Sequence, residues 1–83
     1  MIRVLYFASL RERLESKGEE LPAEGIRTLA NLKARLAARG NVWREVFAED
    51  ELVLGAINQE MAQDDAPAKD GDEVGFFPPV TGG

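Results

Sequence analysis

The sequence contains no cysteine and no histidine. Disulfides, thiolate nucleophiles and iron–sulfur clusters require cysteine, and structural zinc sites draw their ligands chiefly from these two residue types. A catalytic triad whose base is histidine is excluded as well. Carboxylates, lysines and the chain termini are the reactive groups that remain, so we expect no metal site and no cofactor bound by the free chain.

Long hydrophobic runs are also missing. No apolar stretch approaches the roughly 20 residues of a membrane helix, and no small-residue cleavage site follows the first segment, so we expect a cytoplasmic protein. Positive charge is scarce: ten Lys and Arg against fifteen Asp and Glu give a net charge of −5. Such a chain would be repelled by nucleic acid and by anionic lipid surfaces, and neither is an expected partner.

The 83 residues make one small domain with a single core. A chain of this size seldom also forms a pocket that encloses a substrate. We therefore expect a carrier or binding module rather than an enzyme that acts on its own.

Five segments have the composition of β-strands, at residues 2–8, 19–21, 52–58, 59–63 and 73–77. The first is almost continuously apolar, which is typical of a central strand buried on both faces. The second is followed by Pro22 and fits only a sheet edge. The pair Asp70-Gly71 predicts a turn before the last strand, and the proline pair at 78–79 ends that strand.

One main helix is predicted at residues 29–39, because Leu29, Leu32 and Leu36 share one helical face, Thr28 is a good N-cap and Gly40 fits the position after the C-cap. Bulky side chains at 43, 46 and 47 predict a short second helical turn in the core, and the charged segment 9–18 is predicted to be a loop. The result is an α+β fold, with a mixed sheet that carries the helix on one face. Residues 1–77 form the domain and residues 78–83 an extended tail.

The sheet face opposite the helix is predicted to be apolar, because both alternating sets of side chains in the first strand are apolar. One of the two residues Phe76 and Phe77 should lie on that face. Either loop side chains cover it, or a partner protein does, and the partner is favoured because exposed apolar patches on small domains usually mark interfaces. The candidate covering side chains are Leu10, Leu14 and Trp43.

The tail has the sequence Pro78-Pro79-Val80-Thr81-Gly82-Gly83. Proline favours extended backbone, glycine has no side chain, and six extended residues reach about 20 Å. This pattern predicts a slim rod that ends in a carboxylate and could thread a narrow channel in another protein. A frayed, inert terminus is the alternative.

Three segments together resemble a known family. The terminal stretch DGDEVGFFPPVTGG, the segment Phe7-Ala8-Ser9-Leu10-Arg11-Glu12 and the segment Ala56-Ile57-Asn58-Gln59 are similar to those of the small, sulfur-carrier subunits of molybdopterin synthase. The resemblance spans the whole chain, and FFPPVTGG is its most specific element. It implies a ubiquitin-like β-grasp fold.

The resemblance also implies a chemistry. A ubiquitin-activating-type adenylyltransferase would use ATP and magnesium to adenylate the carboxylate of Gly83, and sulfur from a sulfurtransferase would convert it to a thiocarboxylate. The large synthase subunit, in a complex of two small and two large subunits, would then direct that sulfur to cyclic pyranopterin monophosphate. The small subunit is a sulfur donor and is not catalytic on its own.

Carried over residue by residue, the resemblance assigns the covalent role to Gly83 and clearance in the channel to Gly82. The residues it implies for partner binding are Phe7, Arg11, Phe76, Phe77, Pro78, Pro79, Val80 and Thr81. Three other functions stay open on the sequence: a sulfur carrier of the thiamine pathway, a ubiquitin-like modifier that is conjugated to proteins, and an interaction module with an inert tail.

Overall fold

The computed structural model describes residues 1–48 and 53–79. Within them, five strands form one mixed sheet in the order β2-β1-β5-β3-β4. The central strand β5 pairs in parallel with β1 and antiparallel with β3, and the two outer pairs are antiparallel. The strands are β1 (Ile2–Tyr6), β2 (Gly18–Leu21), β3 (Leu54–Ile57), β4 (Glu60–Ala62) and β5 (Glu73–Phe77). The predicted α+β fold with a mixed sheet is confirmed.

In the described part of the chain, three helices pack on one face of the sheet: α1 (Ser9–Leu14), α2 (Leu29–Ala37) and α3 (Asn41–Phe47). The main predicted helix is α2. Thr28 and Asn31 close its N-terminus in a reciprocal capping box, which explains why it begins where the sequence predicts. Gly40 does not cap α2, whose C-cap is Ala38. Gly40 instead has a φ of +78°, and this conformation turns the chain into α3. None of these helices is long and apolar enough to cross a membrane.

The prediction of a loop over residues 9–18 is wrong for its first half, where α1 forms. Leu10 and Leu14 lie four residues apart and therefore share one helical face, and both are buried in the core. The helix ends at Glu15, which takes the left-handed conformation. Burial of this leucine pair outweighs the charged residues between them, which point to solvent.

The core lies between the sheet and the helices. The inward residues of β1 and β5 alternate with outward ones, so Val4, Tyr6, Val74 and Phe76 are buried against the helices. The remaining core side chains with essentially no exposed surface are Ile2, Leu29, Leu32, Leu36 and Val46.

A polar cluster closes the core beside the edge strand β2. The Tyr6 hydroxyl donates to Glu19 Oε2 at 2.9 Å, and Arg39 donates to the same carboxylate through Nη1 and Nη2 at 2.8 and 2.6 Å. The Arg39 guanidinium lies 4.4 Å from the ring centroid of Trp43. Hydrogen bonds from Arg39 hold the pKa of Glu19 below its ordinary value, whereas burial raises the pKa of Tyr6. The cluster fastens β2 to the connection between α2 and α3.

Candidate functional site

The sheet face opposite the helices, hereafter the outer face, carries the odd-numbered residues of β1 and β5. Leu5 is half-buried there, and Phe7, directly after β1, is 40% exposed. Leu10 and Leu14 do not cover this face, because they join the core, and Trp43 packs against Tyr6 on the helix side. The explanation in which loop side chains fold over the outer face is therefore wrong.

Phe7 packs across the outer face against β5. Its ring lies edge-on to that of Phe77, with centroids 6.5 Å apart and planes at 62°. It also lies directly over Gly75, where a β-carbon would be 2.8 Å from Phe7 Cε2. Beside these residues is an open depression of about 240 Å³. The arrangement gives the outer face an aromatic pair and a recess next to it.

The side chains of Phe76 and Phe77 lie on opposite faces of the sheet. Phe76 has no exposed surface, and its ring packs 5.0 Å from that of Phe47 in the core. Its expected role in partner binding is wrong for the side chain, which a partner could reach only by opening the core. Phe77 is half-buried on the outer face and stays a candidate. Alternation along β5 is the physical reason for the difference.

The remaining site residues divide into two groups. Arg11 is exposed on α1, four residues after Phe7, and the half-buried prolines Pro78 and Pro79 follow Phe77 directly. All three therefore lie close in sequence to the aromatic pair. The other four predicted residues lie outside the described part of the chain: Val80, Thr81, Gly82 and Gly83.

The backbone between Phe7 and Arg11 is strained. Ala8 has φ 54° and ψ −133°, and the Leu10 N–H donates to the Phe7 carbonyl at 3.1 Å. This is the geometry of a type II′ turn, whose first central position favours glycine. The turn directs the chain from β1 into α1 immediately beside the exposed Phe7 ring.

Met61 is an outer-face residue that the sequence pattern did not indicate. It is 63% exposed on β4 and pairs with Ala56, which lies on the outer face of β3. The β3–β4 turn that presents it has positive φ at Asn58 and Gln59, and the Asn58 carboxamide oxygen accepts from the Glu73 N–H at 3.0 Å. Alternation along residues 59–63 was the signal, but the phase of this short strand rests on Ala62, a small residue that packs against the core.

Within residues 1–48 and 53–79, no three His, Cys, Asp or Glu side chains are grouped so that they could hold a metal ion. The charged groups with shifted pKa values are in ion pairs. For example, the N-terminal ammonium of Met1 lowers the pKa of Asp70. Phe7 and Met61 are the exposed large apolar side chains of the outer face, which makes that face the candidate recognition surface.

The mixed five-stranded sheet with helices on one face defines a ubiquitin-like β-grasp protein. The chain belongs to the ThiS family, which it matches over residues 4–83.

Two curated relatives are similar over the full length of both chains. The molybdopterin synthase sulfur carrier subunit of Escherichia coli (strain K12) is 43% identical over 83 residues, and that of Haemophilus influenzae (strain ATCC 51907 / DSM 11121 / KW20 / Rd) is 36% identical over 83 residues; each alignment covers 100% of both chains.

Solved structures are similar in fold. SAMP1, a small archaeal modifier protein of Haloferax volcanii, superposes with a TM-score of 0.78 at 26% identity, covering 99% of this chain and 98% of that one. A chain in the complex of subunits 1 and 2 of the molybdopterin-converting factor from Helicobacter pylori 26695 has a TM-score of 0.65 at 24% identity, covering 99% and 97%. The latter identity is low, so that likeness shows the fold alone.

Proposed function

We propose that this chain is the sulfur-carrier subunit of a molybdopterin synthase. The observation that carries the proposal is the end-to-end alignment with the Escherichia coli carrier subunit at 43% identity, which includes the tail. The partly exposed aromatic pair Phe7 and Phe77, next to the end of β5, supports it, because a carrier must dock on a partner close to the point where its tail departs.

The proposed reactive group is the carboxylate of Gly83. A free carboxylate is a poor acyl donor, so an adenylyltransferase of the ubiquitin-activating type first joins it to AMP with ATP and magnesium and releases pyrophosphate. A thiol reductant releases the sulfur of the sulfurtransferase at the oxidation level of sulfide and is itself oxidised to a disulfide. This sulfide displaces AMP, a C–S bond replaces the C–O bond to phosphate, and a thiocarboxylate results. Because the sequence contains no cysteine, the chain terminus is the natural place to hold this sulfur.

The thiocarboxylate is then proposed to enter the large synthase subunit and attack cyclic pyranopterin monophosphate. The large subunit supplies the catalytic acids, bases and phosphate ligands, and this chain supplies sulfur. Each carrier donates one sulfur atom and the dithiolene holds two, which fits a heterotetramer of two small and two large subunits. ATP and magnesium belong to the activating enzyme rather than to this chain.

The proposed docking surface is the outer face. Its large apolar side chains include Phe7, Phe77 and Met61, all partly or largely exposed, and rigid aromatic residues are frequent anchors of interfaces. Arg11 would add an ionic contact at the rim, and Pro78 and Pro79 would hold the first part of the tail extended toward the partner. Val80 and Thr81 would occupy the entrance of the partner's channel, and Gly82 would occupy its narrowest part.

The test is a reconstituted synthase assay with the large subunit, the activating enzyme, a sulfurtransferase and the pterin substrate. We expect a variant that lacks Gly83 to form no product, while its circular dichroism and melting temperature match those of the wild type, since termini outside a core contribute little stability. A variant with one alanine added after Gly83 is the matched control for chain length and should be equally inactive. Wild-type product formation by either variant would refute the sulfur-carrier mechanism.

A second candidate is a protein-conjugating modifier. The similarity to the archaeal modifier SAMP1 at 26% identity favours it specifically. In that case adenylated Gly83 would be attacked by a lysine amine of a target, an isopeptide bond would form and AMP would leave. Conjugates of higher mass in cell extracts, absent when Gly83 is deleted, would support this function.

A further inference from the structure

Gly75 occupies the middle of the outer face, on the central strand β5 and beneath the ring of Phe7. A β-carbon at this position would lie 2.8, 3.6 and 3.8 Å from the Cε2, Cδ2 and Cζ atoms of Phe7. The shortest of these distances is one that real β-carbons essentially never show, so the Phe7 ring, which is the far end of its side chain, would have to shift. The position of Phe7 therefore depends on the missing side chain of Gly75.

The recess beside this contact has a floor of small residues and walls of large ones. Gly75 and Ala56 form the floor, and Leu5, Phe7 and Phe77 form the walls. Its volume of about 240 Å³ equals the liquid volume of roughly eight water molecules. We call this recess the Gly75 socket. A recess of this size on a sheet face suits one large side chain.

We propose that Gly75 is a positioning residue for docking, because its lack of a side chain lets the Phe7 ring lie on the sheet, edge-on to Phe77. The Gly75 socket formed in this way receives one apolar side chain of the synthase large subunit. This inference rests on the proposed function, because it takes the outer face as the docking surface. Within that surface, the Gly75 socket is the feature that selects the partner.

Two observations favour an apolar occupant. The walls are one aliphatic and two aromatic side chains, and among the described residues the polar ones that line the recess are Gln59 and Glu73. Glu73 lies opposite Arg3 in the register of β5 and β1, so the charged end of the face carries a cation as well as a carboxylate. The aromatic pair is also held in place before binding, which lowers the entropy lost on association.

A double-mutant cycle on binding to the purified large subunit tests the inference. We expect Gly75→Ala to weaken binding at least fivefold in the wild-type background and less than twofold in a Phe7→Ala background, because the substitution acts by displacing Phe7. The control cycle pairs Gly75→Ala with Met61→Ala, which lies on β4 and does not line the socket, and should be additive. Equal effects of Gly75→Ala with and without Phe7 would overturn the positioning role.

The occupant is tested with Glu73→Gln. We expect this variant to bind within twofold of the wild type, since an apolar guest makes no ion pair. A loss as large as that of Gly75→Ala would show a cationic guest and overturn the apolar assignment.

An NMR measurement on the free chain separates this inference from the proposed function. We expect nuclear Overhauser effects between the Gly75 α-protons and the Phe7 ring in the absence of any partner. If they are missing, the positioning role is wrong whatever the large subunit does. If they are present but the wild type does not bind the large subunit, the proposed function and the assigned occupant both fail, while the Phe7–Gly75 contact stands.

Discussion

Phe76 and Phe77 are neighbours in the chain but lie on opposite faces of the sheet. The ring of Phe76 packs against Phe47 in the core, and the ring of Phe77 packs against Phe7 on the outer face. Consecutive residues of a strand point in opposite directions, so one phenylalanine stabilises the fold and the other is available to a partner.

Alanine at each of these two positions should therefore affect a different quantity: the stability of the domain for Phe76 and binding to the large subunit for Phe77. We expect Phe76→Ala to lower the free energy of unfolding by about 3–5 kcal/mol, as removal of a buried aromatic ring does. Phe77→Ala should cost about 1 kcal/mol or less in stability but at least about 2 kcal/mol of binding free energy to the large subunit. Urea unfolding and isothermal titration calorimetry measure the two quantities. Unchanged binding by Phe77→Ala would move the docking surface elsewhere.

Substitutions at Gly82 test the clearance proposed for the tail. We expect Gly82→Ala to leave the melting temperature within about 2 °C of the wild type. It should slow adenylation or sulfur transfer at least about tenfold, a barrier increase of about 1.4 kcal/mol, because a β-carbon reduces the clearance around an extended chain and disfavours positive φ.

The rate of pyrophosphate release measures adenylation, and the rate of pterin product formation measures sulfur transfer. Gly82→Val should be slower than Gly82→Ala if steric clearance is the cause. Equal rates for glycine, alanine and valine at position 82 would show that the tail does not pass through a tight channel.

The Glu19–Arg39 ion pair predicts a pH-dependent contribution to stability. Because the pKa of Glu19 is lowered in the folded state, its contribution is fully present above the ordinary value of 4.5 and is lost as the pH falls through the lowered folded pKa. We expect Glu19→Gln to lower the free energy of unfolding by about 1–2 kcal/mol at pH 7, and the difference from the wild type to shrink below pH 4.5. Urea unfolding at a series of pH values measures it.

Glu20→Gln is the matched control, since the next residue along β2 lies exposed on the other face. It should change stability by less than about 0.5 kcal/mol at either pH. If Glu19→Gln behaves like Glu20→Gln, the ion pair contributes no net stability.

Ala8→Gly should stabilise the domain. Ala8 is exposed and has φ 54° with ψ −133°, a conformation that glycine adopts without the clash of a β-carbon. We expect a gain of about 0.5–1 kcal/mol, the strain relieved less the entropy that glycine adds to the unfolded chain. Thermal unfolding by calorimetry is the measurement. A loss of stability would mean that the turn is not strained.

The sequence predicted the elements whose signals are local and repeated. The α2 helix has three core leucines and a capping threonine, and the strand at 73–77 is apolar and ends at a proline pair, so both were predicted close to their observed bounds. The helix α1 was missed because six residues contain only two apolar positions, Leu10 and Leu14, and four charged or polar ones. That pair identifies a helix only once the core that receives it is known.

The candidate site was predictable in kind but not in detail. The apolar pattern of the first strand predicts a second apolar face, yet it does not say which of Phe76 and Phe77 belongs to that face, because the phase depends on which side the helices pack. The contact between Phe7 and Gly75 joins positions 68 residues apart in the chain, and no local pattern indicates it.

Intact-mass spectrometry of the protein isolated from its own host tests the central claim most directly. The account predicts that a fraction of the molecules has a mass about 16 Da above the value calculated from the sequence, because sulfur replaces one carboxyl oxygen. Fragmentation should locate the added mass at Gly83. A chain found only at the unmodified mass, or only joined to lysines of other proteins, would contradict it.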